Sequence, residues 1–192
     1  MKIYVEDNFL SEYELSKCLE LYSLIENNSD WHDGGGIEFW DNRVFDISNI
    51  LGIYQDREHL SILIKILKRM RTQIVDKFEL DKKIHPDTMQ LVKWSSGIEQ
   101  EPHADNCNED GSDNHSPWRE YSGVIYLNND YIGGETYFPN FNYEVSPEPG
   151  RLAIFKGDLE HLHGVKKIKE GERKTIITFW SGVMVNEYLR LG

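Results

Sequence analysis

The stretch QLVKWSSGIEQEPHADN, Gln90 to Asn106, reads as a strand, a turn and a second run that ends in His103-Ala104-Asp105. No helix pattern follows it. From Thr88 onward the chain is a succession of short β-rich runs, TMQLVKW, GVIYLN, ETYF, YEV, RLAIF and KTIITFWSGVMV, punctuated by Gly, Asn, Asp and Pro. Strand does not alternate with helix, which argues against a parallel doubly wound sheet. Helices packed on a double-sheet jelly roll account for the order of elements.

Upstream the period changes from 2 to 3.6. KIYVEDNFL reads as a short strand entering a helix, and Ser11 with Glu14 forms a capping-box pattern. Leu15, Cys18, Leu19, Tyr22 and Ile25 then recur on one face. A second helix starts at Asp56, carries Leu60, Leu63, Ile64, Leu67, Met70, Ile74 and Phe78 as one apolar stripe, and ends near Leu80. Lys65, Lys68, Arg69 and Arg71 lie largely off that stripe, on a solvated side. The expected organisation is one domain over residues 1–192. In it, residues 1–85 supply a strand and helices that pack on a barrel core of residues 86–192.

Between the helices, NNSDWHDGGGIEFWDNR is either a connection pinned by Trp31, Phe39 and Trp40 or a flap beside a site. Residues 106–117 are very polar and read as a disordered loop. The net charge of −12 argues against nucleic acid as the main partner, because phosphate neutralisation needs a basic face. It is compatible with a basic peptide. Cys18 and Cys107 are too few for a disulfide framework, and Cys18 falls on a packing face. No apolar run reaches a membrane span and the first residues lack a secretory pattern. A soluble, cytoplasmic setting is the expectation.

His-x-Asp occurs twice, as His103-Ala104-Asp105 and as His85-Pro86-Asp87. In a strand, residues i and i+2 share a face, so such a pair can grip one ion. Two His and one carboxylate on one side of a metal leave other positions open. The second copy reads as a polar turn, because Pro86 cannot donate to a sheet ladder. The first has a strand-and-turn context, and DLEHLHGV offers His161 and His163 as third ligands. Arg173, ten residues past His163, opens the last apolar strand. An Arg buried in a barrel needs a carboxylate partner, and a dicarboxylate ligand would supply one. As a surface residue of GERK it would mean nothing.

QLVKWSSG, PHADN, VIYLN, GGETYF, PEPGRLAIF, then HGV, GER and TFW stand in an order that resembles the 2-oxoglutarate- and Fe(II)-dependent dioxygenases of the prolyl 4-hydroxylase type. The resemblance covers residues 89–183. It implies a double-stranded β-helix (jelly roll), mainly β within an α+β chain, with supporting N-terminal helices. It implies Fe(II), 2-oxoglutarate and O2 as cofactors, with ascorbate as an accessory. The implied reaction is hydroxylation of a C–H bond coupled to conversion of 2-oxoglutarate to succinate and CO2. A prolyl residue of a peptide or protein is the implied substrate; a small molecule or free amino acid is the alternative.

By the same resemblance His103, Asp105 and His163 are the iron ligands, and the H-G-V-x-x-I-x-x-G-x-R spacing favours His163 over His161. Arg173 would pair with the distal carboxylate of 2-oxoglutarate, Tyr126 would lend it a hydroxyl, and Thr175 would assist. Trp94 departs from the family, where many members carry Tyr; indole can donate only through N–H. Arg119 and Trp180 are expected beside the substrate. Gly133-Gly134 reads as a tight turn, and Glu135 is not expected to act as an acid. Two other classes remain: a non-catalytic metal- or carbohydrate-binding jelly roll, and a zinc hydrolase. The first has no use for a buried Arg near the ion, and the second needs a general base.

Overall fold

The computed structural model describes residues 3–32 and 38–191. Residues 33–37, the glycine-rich middle of the suspected flap, lie outside the described residues. The elements are β1 (Tyr4–Glu6), α1 (Glu12–Asn28), β2 (Val44–Asp46), α2 (Ile50–Tyr54), α3 (Arg57–Phe78), β3 (His85–Ser95), β4 (Gln100–His103), β5 (Tyr121–Tyr126), β6 (Ile132–Gly133), β7 (Thr136–Phe138), β8 (Tyr143–Val145), β9 (Leu152–Lys156), β10 (His163–Val165), β11 (Ile168–Glu170) and β12 (Glu172–Ser181). A six-stranded sheet has the order β1-β9-β5-β12-β3-β2 and faces a four-stranded sheet of order β4-β10-β7-β8. All pairings are antiparallel. Short strands in two opposed antiparallel sheets, joined by crossing connections, make the jelly roll. Strands β1 and β2 come from the first 85 residues yet pair with β9 and β3, so the N-terminal part builds both edges of the larger sheet as well as the helices.

The helices form where the sequence places their signals. Ser11 Oγ accepts the Glu14 N–H at 3.2 Å, and the Glu14 carboxylate accepts the Ser11 N–H at 3.0 Å. Asp56 caps α3 by accepting the His59 N–H at 3.1 Å. Arg69, read as solvated, instead ties the helices together through the Glu14 carboxylate and the Phe9 carbonyl. Cys18 is fully buried, and burial pushes its thiol up to about 12, which makes it an inert packing group.

The large sheet has two unlike faces. Met89, Leu91, Ile125, Ile154, Ile176 and Trp180 point at α1 and α3 and join one continuous apolar core. The alternate residues point between the sheets. There the apolar side chains form only two small clusters, around Phe138 and Phe155 and around Trp94 and Ile168. Period-2 alternation thus separates a packing face from a cavity face along each central strand.

Two expectations change here. His85-Pro86-Asp87 is not a turn but the first part of β3. Thr88 pairs with Phe179 and Pro86 with Trp180, so Asp87 is the extra residue of a bulge. A bulge at the end of a strand is where a sheet tolerates Pro. Residues 106–117 are an ordered loop. Asn108 N–H donates to Ser112 O at 2.9 Å, Ser112 N–H to Asp110 Oδ1 at 2.9 Å and Ser116 N–H to Asn114 Oδ1 at 2.7 Å. Polar side chains here close turns on their own backbone, which composition alone reads as solvation.

Gly133 has φ of +86°, and a Cβ there would sit 2.1 Å from the Lys167 carbonyl oxygen. Gly133→Ala is expected to destabilise the fold by about 2 kcal/mol or more. Gly52 in α2 has nothing within 4 Å of an added Cβ, so Gly52→Ala should gain about 0.5–1 kcal/mol. Urea unfolding of both variants checks the contrast.

Candidate metal and anion site

A cavity of about 560 Å3 opens between the sheets. Its lining includes His103, Asp105 and His163, which the Asp105–Ser122 bond places toward the Phe179 end of β12, and Trp94, Thr136 and Arg173 toward the Arg173 end of that strand. His103 closes β4 and His163 opens β10, and the two residues are register partners on adjacent antiparallel strands. Their rings lie 4.5 Å apart. Asp105 lies just past β4, where its N–H donates to the Gly157 carbonyl at 2.9 Å. Its two carboxylate oxygens stand 3.6 Å from His103 Nε2 and 3.5 Å from His163 Nε2. The three side chains therefore offer one ligand atom each, all within 4.8 Å of one another.

The backbone sets the tautomers. His103 Nδ1 faces the Glu101 carbonyl at 3.0 Å and His163 Nδ1 faces the His161 carbonyl at 3.2 Å. A carbonyl only accepts, so each Nδ1 carries the proton and each Nε2 lone pair turns to the shared point. Burial pushes His163 down to about 4 despite the opposing Asp105 charge, so it is a neutral imidazole at pH 7. Burial alone would raise Asp105. The His163 charge, the His103 hydrogen bond and charge, and Ser122 outweigh it and hold the carboxyl at about 2. Ser122 Oγ donates to Asp105 Oδ2. His103 is more exposed; burial lowers it, but the Asp105 hydrogen bond and charge win and raise it. Two imidazoles and one carboxylate on one side of a point suit a divalent transition metal with open positions, a metal displacing any proton on His103 Nε2.

His161 does not join this group. Its Nδ1 lies 2.7 Å from Asp158 Oδ1, and its ring packs on Phe141 at 5.1 Å. It falls in a separate cluster with Asp158 and Glu160. His85 and Asp87 likewise stand apart. Asp87 accepts from Arg119 Nε at 2.8 Å, and the Arg119 guanidinium lies 3.8 Å from the centre of the Phe179 ring. Arg119 and Phe179 both line the cavity. Trp180 does not. It is fully buried on the helix side of β12, where its indole N–H donates to Thr178 Oγ1 at 3.0 Å. Its expected place beside the substrate is corrected by strand parity: Arg173, Thr175, Ile177 and Phe179 face inward, and Trp180 faces outward.

At the far end Arg173 is 1% exposed, so it is no surface residue of a turn. Its guanidinium carbon lies 5.3 Å from the ring centres of Trp94 and Tyr126. Nη2 donates to Thr136 Oγ1 at 3.2 Å, and Nε has no partner among the described residues. Trp94 Nε1 and Thr175 Oγ1 are also buried without partners. The Tyr126 hydroxyl is bonded to Thr136 Oγ1 at 2.6 Å. A buried cation ringed by unused donors is costly alone and complementary to an anion. A dicarboxylate fits this chemistry. The sequence reading missed Ser122, Gly157 and Phe179. Inward parity on β5 and β12 would have found Ser122 and Phe179. Gly157 is needed because a Cβ there would meet the Arg119 carbonyl at 2.8 Å and Asp105 Cβ at 3.1 Å.

Residues 89–182 match the family described as 2OG-Fe(II) oxygenase superfamily. Human prolyl 3-hydroxylase 3 is 32% identical over 142 residues, which are 62% of this chain and 19% of that protein. The chain thus matches about a fifth of the length of that curated relative. The viral collagen prolyl hydroxylase of Paramecium Bursaria Chlorella virus-1 superposes with a TM-score of 0.70 at 18% identity, over 96% of this chain and 97% of that one. A prolyl-4-hydroxylase of Pseudomonas putida gives 0.68 at 17% identity, over 93% and 91%. These structures share the jelly-roll fold.

His103→Ala and His163→Ala are expected to lose Fe(II) binding. Ser122→Ala should weaken it roughly 10- to 100-fold, as removal of an outer partner does. His161→Ala and His85→Ala should retain it. Metal content after anaerobic loading checks the set.

Proposed function

We propose that this chain, whose residues 89–182 match the family described as 2OG-Fe(II) oxygenase superfamily, is a 2-oxoglutarate- and Fe(II)-dependent dioxygenase that hydroxylates a prolyl residue of a peptide or protein. The observation that carries the reading is one cavity with a His-Asp-His group toward one end and an unpaired, buried Arg toward the other. A non-catalytic jelly roll would have no need of the second feature.

In this reading His103, Asp105 and His163 hold Fe(II). Arg173 binds the distal carboxylate of 2-oxoglutarate, supported by Thr175 and by the indole N–H of Trp94. Tyr126 acts through Thr136, to which both it and Arg173 are bonded. Iron and 2-oxoglutarate, with O2, supply the oxidising chemistry when bound; the cosubstrate leaves as succinate and CO2. The protein's part is to bind, orient and exclude water. Ser122 orients Asp105, and the Glu101 and His161 carbonyls orient the imidazoles. No side-chain nucleophile is required.

Substrate would enter beside Arg119 and Phe179, which line the cavity and are fixed to each other and to Asp87. Trp40 lines it as well and packs on Trp94 at 5.5 Å. The prolyl assignment is supported by the names of the relatives, which are prolyl hydroxylases. The aromatic side chains Trp40 and Phe179 of the lining suit the apolar pyrrolidine ring of a prolyl residue. Among the described residues no helix is long and apolar enough to cross a membrane.

The test is succinate release from 2-oxoglutarate with Fe(II), with and without proline-containing peptides. Peptide-stimulated succinate is the expected result; no turnover and no 2-oxoglutarate binding would overturn the reading. Arg173→Met is expected to abolish 2-oxoglutarate binding while leaving the ligand-free fold as stable or more so. Any gain should fall within the roughly 1–4 kcal/mol seen when buried charges give way to apolar side chains. Calorimetric binding and urea unfolding of the same variant separate the two effects.

A further inference from the structure

We propose that Tyr131 is a direct hydrogen-bond donor to the distal carboxylate of the dicarboxylate cosubstrate, supplying a neutral hydroxyl beside the Arg173 guanidinium. The proposal rests on the reading of this cavity as a 2-oxoglutarate site and names a residue outside the set inferred from the sequence.

Tyr131 lies in the connection between β5 and β6, and two glycines press it toward Arg173. A Cβ at Gly134, whose φ is +73°, would sit 2.8 Å from Tyr131 Cε2 and 3.0 Å from Arg173 Cδ. The tyrosine ring and the arginine stem therefore rest against one point. A Cβ at Gly171, φ +82°, would meet Tyr131 Cβ at 2.9 Å. The ring also packs with the cluster of Val92, Trp94, Val165 and Ile168. Phenylalanine would pack there equally well, so packing does not account for the hydroxyl.

The hydroxyl is buried beside the Arg173 guanidinium, which can only donate to it, and it has no acceptor for its own proton among the described residues. Such a group is destabilising unless something satisfies it. The donors around Arg173 divide into two sets. Tyr126 is already engaged with Thr136 Oγ1, which also accepts from Arg173. Tyr131, Thr175, Trp94 and Arg173 Nε are not engaged. A carboxylate offers about four acceptor positions. A bidentate guanidinium fills two, and two neutral donors from the unused set complete it. Only a protonated phenol can donate. Burial raises the Tyr131 ionisation above its ordinary value against the opposing Arg173 charge, so the proton is present at neutral pH.

The test is titration of 2-oxoglutarate, and separately of pyruvate, into Mn(II)-loaded wild type and Tyr131→Phe. Pyruvate keeps the 2-oxo acid and lacks the distal carboxylate. The expected result is roughly tenfold weaker 2-oxoglutarate binding in the variant, the loss of one charge-assisted hydrogen bond. Pyruvate binding and Mn(II) affinity should be unchanged, and the thermal midpoint of the ligand-free variant should be equal or higher, because it no longer buries an unsatisfied hydroxyl. Equal 2-oxoglutarate affinity in the two proteins would overturn the proposal. So would parallel weakening of both ligands, which would place the hydroxyl's effect on the pocket as a whole. Failure of the wild type to bind 2-oxoglutarate would instead strike the underlying functional reading, and this proposal with it.

Discussion

A full positive charge buried in the middle strand of the larger sheet is the constraint on which the cavity depends. Arg173 is the second residue of β12, paired there with Trp94 of β3, and from Thr175 onward the strand is paired with β5 as well. The backbone cannot move to bring the guanidinium to water. What surrounds the charge is partial compensation: the faces of Trp94 and Tyr126 and one hydroxyl, Thr136. Cation–π contacts give about 2 kcal/mol when desolvated, less than the several kcal/mol that removing an ion from water costs. The neighbouring turn is shaped by the same demand. Gly133 and Gly134 both have positive φ, and at Gly134 even a methyl group would displace the arginine stem. A sequence that keeps such an arrangement bears its cost in the ligand-free fold, and an anion that fills it recovers the cost on binding.

The helix half of the fold was legible because its signals are local. The capping box and the 3.6-residue stripes each lie within a few residues of chain. The alternation of β12 was equally legible, and Arg173 was found with it. Trp180 was placed by the resemblance rather than by parity; counting by two from Arg173 leads to Phe179. The IHPD segment failed for another reason. Proline normally ends a strand, and only the register between β3 and β12 reveals the bulge that accepts it. That register is set by residues nearly a hundred positions apart, and no local pattern carries it. The polar loop of residues 106–117 failed likewise, since Asn, Asp and Ser that hydrogen-bond one another look the same in composition as those that face water.

The metal group shows how little of such a site is the ligand list. His103 and His163 meet because β4 and β10 are neighbours, which the sequence does not state. Two carbonyls then fix both tautomers, and one serine and one glycine fix Asp105. Asp105 lies beyond the strand end, so the equal-face rule for i and i+2 does not explain its position. The Gly157 carbonyl does, by holding the Asp105 N–H. His161 shows the reverse: with the same residue type and nearly the same position, it is captured by Asp158. A ligand differs from a bystander here by which hydrogen bond its other nitrogen makes.

Net charge and local charge run opposite ways in this protein. The chain carries −12, and a doubly negative cosubstrate approaching from a distance meets an unfavourable field. That field is screened beyond a Debye length of about 8–10 Å at physiological salt. Inside the cavity the order reverses, because Arg173 and its neutral donors act at contact distance in a medium that screens poorly. Anion selection is therefore a short-range property of the far end. The long-range field is left to act on whatever large molecule docks at the opening, and there it favours a basic segment over an acidic one. In the proposed reading, a small anion and a basic polypeptide would therefore use one cavity without competing for the same electrostatic feature.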